Sequence, residues 1–275
     1  MKRFTYLFTL FMLCYTPLHA SEYSATQGDV IAIELNHSNQ KPSLYCFGKS
    51  WPVKALANGA WRGWVGVDMK KKPKHYNIHW KQGKKSLSTD TLLVNKGNFR
   101  ISRITVKKSM AVFNKKTLHR IRQEVKTLKA TYIEPVKAKV NIVMHFLPVK
   151  GIESTPFGAQ RYVNGEPRAP HSGIDIAAPA GSSIRLPLAG TVLMVTDMYL
   201  NGKTVAIGHG NGLVSLYSHM QSTTLKKGEW IKTGSEIGKV GETGRATGPH
   251  LHWGVRFNNA RVNPSSMLQS KQHHS

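Results

Sequence analysis

The order of apolar and polar positions gives the chain two rhythms, separated by one stretch of helical period. Over residues 21–114 the apolar positions fall in short runs with a period near two. Val30, Ile31, Ala32, Ile33 and Leu35 follow a Gln-Gly-Asp turn; residues 61–67, 75–80 (ahead of Gln82-Gly83) and 100–106 repeat the pattern. Such a period sends successive side chains to opposite faces of a strand, and turn residues at these close intervals predict a small β-domain. Leu118, Ile121, Val125 and Leu128 then recur at three- and four-residue steps with basic residues and Gln between them. That spacing predicts an amphipathic helix over 117–128, capped by Asn114 or Thr117. Pro135 and Pro148 bracket the connection that follows.

From Gly151 onward glycine becomes frequent and lysine sparse. Apolar alternation marks strands at residues 190–195, 203–207, 213–220, 229–231 and 236–240, each close to a glycine turn, and no segment has a helical period. The expected architecture is mainly β, in two domains. A small N-terminal β-domain (21–114) leads through a helix and linker (115–149) to a C-terminal antiparallel β-sheet domain (150–268) and a polar tail (269–275).

The first twenty residues follow a different logic. Lys2 and Arg3 precede a mostly apolar run over 6–15 and a small residue, Ala20. Positive, apolar, small is the order of a cleavable signal peptide, assigned to residues 1–20. The run is well short of the roughly 20 residues a membrane-spanning helix needs, and no later stretch meets that length. The expectation is an exported chain, located in the periplasm or cell envelope or secreted, with no transmembrane segment after processing. Of the two cysteines only Cys46 then remains, so the core or a bound metal, and no internal disulfide, holds the fold.

Charge changes the picture of partners. The chain has 39 Lys and Arg against 14 Asp and Glu, and residues 21–150 carry 25 against 7 while residues 151–275 carry 12 against 7. The excess therefore sits in the N-terminal half, where it favours an anionic surface. Behind a signal peptide that surface is an envelope polymer or a phospholipid head group, not nucleic acid; a merely solvated basic face is the plain alternative.

Histidine placement carries the chemistry. His171-Ser172-Gly173-Ile174-Asp175 sets an imidazole and a carboxylate at even spacing, and His250-Leu251-His252 sets two imidazoles on one strand face, with Leu251 and Trp253 turned to the core. Alternation over 213–220 puts Tyr217 and His219 on one face, with Leu216 and Met220 on the other. Two neutral imidazoles and a carboxylate suit Zn²⁺, and three protein ligands leave the open position of a catalytic site. Each pair alone is also common as surface or hydrogen-bonded core histidine.

The pattern as a whole is more specific. Pro156-Phe157-Gly158, Arg161, Asn164-Gly165, Pro167-Arg168 and Pro170-His171-Ser172-Gly173-Ile174-Asp175 come first. Tyr217-Ser218-His219 and Gly244-Arg245-Ala246-Thr247-Gly248-Pro249-His250-Leu251-His252-Trp253 follow in order. Together, over about residues 150–268, they closely resemble the lysostaphin/LytM-type zinc metallopeptidases. The N-terminal part more loosely resembles the β-domain that precedes the peptidase in Gram-negative envelope members.

The resemblance implies one Zn²⁺ per chain on His171, Asp175 and His252, with His219 and His250 beside it as the catalytic pair. It implies a peptidoglycan endopeptidase that cuts cross-links, at the D-alanyl–diaminopimelate bond, through a water whose pKa zinc lowers towards about 7. The pair could donate to the oxyanion or carry the proton to the leaving amine, without a division of roles between them. Arg161 and Asn164 could line the substrate groove or brace the loop before the first ligand; Tyr217 is set with them on the substrate side. His209 is expected to be a turn histidine, and His273 and His274 to carry no function. The alternative is a non-catalytic member that binds the wall and activates amidases, which a complete set of five residues opposes.

Overall fold

In a computed structural model, residues 21–268 are described, apart from 107, 109–111, 139 and 140; the expected signal peptide and the tail with His273 and His274 lie outside the described residues. The first half holds nine strands: β1 (Glu22–Thr26), β2 (Val30–Leu35), β3 (Ser43–Cys46), β4 (Lys49–Trp51), β5 (Val53–Ala55), β6 (Trp61–Gly66), β7 (Lys74–Gln82), β8 (Lys85–Asn95) and β9 (Ile101–Ile104). Five form a sheet in the order β1-β8-β7-β3-β4, and β2-β6-β5 form a second, smaller one. The eleven-residue β8 has no clear apolar alternation because its inner face begins with Ser88 and Asp90 before reaching Leu92 and Val94. Those polar groups satisfy one another and the strand end: Asp90 Oδ1 accepts from Ser88 Oγ at 3.2 Å and from the Ser21 amide at 3.0 Å.

Helix α1 spans Lys115–Thr131. Asn114 is its cap, with Oδ1 accepting from the Thr117 amide at 2.8 Å and so relieving one of the unpaired first-turn donors. The apolar stripe does not enter the main core. Leu118 and Val125 are exposed, and only Thr131 is buried. One edge holds the helix to the next sheet: Glu124 accepts from the Tyr199 amide at 3.0 Å, Arg120 donates to the Asp197 carbonyl at 3.1 Å, and Leu128 packs beside Tyr132, Leu193 and Leu216.

The second half adds β10 (Ile152–Thr155), β11 (Gln160–Val163), β12 (Glu166–Pro167), β13 (Gly173–Ala177), β14 (Ser183–Arg185), β15 (Gly190–Met198), β16 (Gly202–Gly210), β17 (Leu213–Ser222), β18 (Trp230–Ile231), β19 (Glu236–Val240), β20 (His250–Phe257) and β21 (Ala260–Val262). Its main sheet runs β10-β13-β20-β17-β16-β15-β18, with antiparallel neighbours throughout. A short 3-10 helix, Pro264–Met267, closes it.

The two halves share one hydrophobic core, which runs from Ala25 to Met267 and takes in Ile142 and Met144 of the connection. The seam is close. Trp51 meets Phe257 edge-on at 5.0 Å between ring centres, and a Cβ on Gly66 would stand 3.1 Å from both Phe257 and Val262. Across it, Arg261 donates through Nε to Asp68 Oδ2 at 3.0 Å and through its amide to the same oxygen at 2.8 Å. Strand β9 also crosses over, pairing in parallel with β11 in a three-stranded sheet completed by β12. Cys46 is buried and free, and burial pushes its thiol up to about 12. No helix among the described residues is long and apolar enough to cross a membrane.

Candidate metal centre

The register between β13 and β20 places Asp175 directly opposite His252 and Ala177 opposite His250. Directly opposed residues have neighbouring Cβ atoms, so strand pairing alone brings the acid to the imidazole. On the other face of the same two strands Ile174, Ile176, Leu251 and Trp253 are buried in the core, which leaves the polar side chains a shared floor. His171 reaches that floor from the segment ahead of β13, pinned by its amide to the Ala159 carbonyl at 2.9 Å. Gly173 permits the close pass between them: a Cβ there would lie 2.4 Å from the Trp253 carbonyl oxygen and 2.9 Å from His252 Cε1.

Three atoms converge. His171 Nε2 lies 2.9 Å from both His252 Nδ1 and Asp175 Oδ1, and His252 Nδ1 lies 2.8 Å from Asp175 Oδ1. All three residues are buried. His171 Nδ1 faces the Pro156 carbonyl at 3.1 Å and must donate to it, so Nε2 presents its lone pair to the centre. A lone pair, a carboxylate oxygen and a second ring nitrogen meet at one buried point, and these three side chains could hold a metal ion. Two imidazoles and a carboxylate are a donor set suited to zinc.

Arg161 supports this arrangement from behind. Its Nη2 lies 2.9 Å from Asp175 Oδ2, the carboxylate oxygen turned away from the histidines. Burial alone works against ionisation of Asp175, but the hydrogen bonds and charges of His171 and His252 outweigh it and hold the carboxyl well below the usual carboxylate range. His252 is lowered to about 4 by burial, against the opposing pull of Asp175.

His219 and His250 stand beside the triad, 4.7 Å apart between ring centres, with His219 6.3 Å from His252. The face expected for His219 is corrected by the structure. Tyr217 and Met220 both lie in the main core, whereas Leu216 belongs to the smaller cluster on the other face. The pairing of β17 with β16 slips between the Val205 and Lys203 positions, and His219 takes a left-handed φ of 62°. A bulge of this kind re-aims one side chain out of the strict alternation. Each ring of the pair donates from Nδ1 to a backbone carbonyl, His219 to Thr243 at 2.8 Å and His250 to Gly248 at 2.8 Å. Burial, then the charges of His250 and His252, lowers His219 to about 3, so it is neutral at ordinary pH with Nε2 as an acceptor.

Two cavities flank the cluster. One of about 680 Å³ runs under Leu118, Val125 and Leu128 of α1 to His171, His219 and His252. The other, of about 270 Å³, lies along residues 245–250 and against Ile104, Ser154 and Asp175. The apolar stripe of α1 thus forms a wall of the groove.

Asn164 sits in the β11–β12 turn at φ 53°, its side chain taken up by both backbone groups of Val106 at 2.9 and 3.0 Å. Tyr217 is fully buried, its hydroxyl 3.0 Å from Ser215 Oγ and outside both cavities. His209 bridges the Ala189 carbonyl and Ser215 Oγ, away from the triad. Arg168 and Arg245 were given no role by spacing, yet both line the larger cavity. Arg245 lies in a glycine-flanked turn close in sequence to His250, and that proximity is the one signal the sequence offers for it.

Comparison with known proteins bears on the family. The model of peptidase family M23 matches residues 169–264. A putative peptidase M23 from Pseudomonas aeruginosa superposes with a TM-score of 0.71 at 31% identity, over 88% of this chain and 94% of that one. The chain belongs to peptidase family M23. This is the lysostaphin/LytM-type family whose motifs its sequence resembles. Among curated relatives, DD-carboxypeptidase/endopeptidase Mpg of Neisseria meningitidis is 39% identical over 114 residues, which are 42% of this chain and 26% of that protein. Peptidoglycan DD-endopeptidase ShyA of Vibrio cholerae is 39% identical over 95 residues, 34% and 22% of the two chains. The match thus spans about a quarter of the length of these curated relatives.

Proposed function

We propose that this M23 chain is a zinc-dependent endopeptidase that hydrolyses peptide cross-links of bacterial peptidoglycan, at the D-alanyl–diaminopimelate bond. The observation that carries the reading is the triangle of His171 Nε2, His252 Nδ1 and Asp175 Oδ1, with sides of 2.8–2.9 Å, beside an open groove. The names of the relatives, a DD-carboxypeptidase/endopeptidase and a peptidoglycan DD-endopeptidase, support the substrate class. One zinc ion per chain, held by these three side chains, would supply a water that ionises near neutral pH and would polarise the scissile carbonyl.

The protein's own groups supply the rest. His219 and His250 are fixed by their Nδ1–H bonds to Thr243 and Gly248, which leaves each Nε2 to take or deliver a proton without losing orientation. Once protonated, either Nε2–H can donate to the oxygen that gains charge or pass its proton to the leaving amine. Arg161, 2.9 Å from Asp175 Oδ2, keeps the carboxylate aimed. The groove wall from α1 keeps an extended peptide against the strand floor.

The domain division proposed is a basic β-domain over 21–114, a helix and linker over 115–149, and the peptidase over 150–268. Residues 21–150, which carry most of the positive charge, would dock on an anionic envelope surface or shield the groove until substrate arrives. Export to the periplasm or envelope is part of the same reading. Digestion of purified sacculi by the full-length protein, with and without chelator and with products identified by mass, tests it. Release of cross-link fragments that chelator stops is the expected result; intact sacculi with zinc present would overturn it.

A further inference from the structure

Resting on that reading, we propose that Arg245, together with Arg161 and Arg168, is a carboxylate-binding site, one that holds the free acid on the carbon bearing the leaving nitrogen of the substrate. Arg161, His219 and Arg245 border both cavities at once, so they stand where a peptide passing from one to the other must cross. Arg168 lines the larger cavity beside them. Among the described residues, Asp175 is the one acid lining either cavity, and its two oxygens already face His171, His252 and Arg161.

The surplus is strongest at two of the guanidiniums. Arg245 has no ion pair or side-chain hydrogen bond among the described residues; its backbone is tied down through its amide to the Leu200 carbonyl at 2.9 Å. Burial, and then the neighbouring charges of Arg161 and Arg168, lowers its pKa. Arg161 spends Nη2 on Asp175 but keeps a buried Nε with no partner. A buried donor without an acceptor is unfavourable, and like charges gathered in a half-enclosed groove repel. A planar anion relieves both, and the guanidinium fork matches a carboxylate in two-point geometry.

The chemistry of the bond says where that anion comes from. In a D-alanyl–diaminopimelate link the nitrogen that leaves is attached to a carbon that also carries a free carboxyl. With the carbonyl at the His171–Asp175–His252 cluster, this acid falls within one residue of it, on the side of the leaving group. An uncharged cross-bridge offers no such group, so the arginines would sort substrates by that charge.

The test uses the full-length, metal-loaded protein and two cross-linked peptides in which a ketomethylene replaces the scissile amide, so that neither can be cut. They differ only in that carboxyl, free in one and a primary amide in the other. Calorimetry should show the acid binding about tenfold tighter or more, a preference that shrinks with salt. In Arg245→Gln it should fall to within about twofold, with Arg245→Lys in between because the charge survives and the fork does not. Should Arg245→Gln fail to fold, Arg168→Gln gives the same comparison with a partial loss. Equal binding of acid and amide, binding of neither, or an unchanged preference in folded Arg245→Gln overturns the proposal. A preserved preference in a protein that leaves sacculi uncut would instead remove the peptidase reading and keep the carboxylate site.

Discussion

Arg161 and Asp175 meet through the carboxylate oxygen that the histidines do not use: Nη2 is 2.9 Å from Oδ2, while Oδ1 faces His171 and His252. A guanidinium in that place fixes the rotation of the carboxylate and favours its ionised form. Partners of this kind typically govern metal affinity by about 10–100-fold. Arg161→Gln should therefore hold zinc that much more weakly, as competition with a chelating dye would measure, while its circular dichroism stays native. Unchanged affinity would show that the strand register alone positions Asp175.

The five central residues should separate into two groups. His171→Ala, Asp175→Ala and His252→Ala each remove a corner of the triangle and should lose bound metal together with activity. His219→Ala and His250→Ala should keep metal and lose turnover by about 10²–10⁴-fold, the range of a lost acid–base group. Metal content by mass spectrometry beside sacculus digestion checks both, and stoichiometric zinc in His252→Ala contradicts the assignment.

The seam between the halves predicts a pH effect. Burial opposes ionisation of Asp68, but the hydrogen bonds from Arg261 outweigh it and lower its carboxyl below the usual range. A lowered native value means that the folded state binds this proton less readily than the unfolded one. The contribution is then complete above the ordinary carboxylate value of about 3.9 and fades as pH drops through the lower native value. Asp68→Asn should melt below the wild type at pH 7, and the gap should narrow below about pH 4. A gap constant with pH would exclude an ionic origin.

Core and helix should answer differently to truncation. Phe257 is fully buried against Trp51 and Gly66, so Phe257→Ala should cost about 3–5 kcal/mol. Leu118 and Val125 have the apolar spacing of a core stripe yet lie exposed along the groove. Leu118→Ser and Val125→Ser should shift stability by less than about 0.5 kcal/mol in denaturant titrations, and a larger loss would mean that the helix packs more tightly than its one edge.

Strands β2, β6 and β7 are legible in the sequence because apolar residues fill their inner positions, and the paired motifs 171–175 and 250–252 are legible because strand geometry turns even spacing into a shared face. Other features escape for stated reasons. Ser88 and Asp90 hide the period of β8, since a satisfied polar pair occupies core positions there. The period of α1 is legible and its destination is not, because periodicity names an apolar side without saying what lies across from it. The direction of His219 depends on a local left-handed residue that alternation cannot foresee. Arg245 sits in a turn, where no period exists to place a side chain.

The shared core has a last consequence for how the chain survives damage. Because Phe257 and Val262 close on Gly66 and β9 is zipped to β11, the grip between the halves does not depend on the covalent thread that joins them. A single nick in that thread would yield two fragments that travel together on a sizing column and come apart only in denaturant.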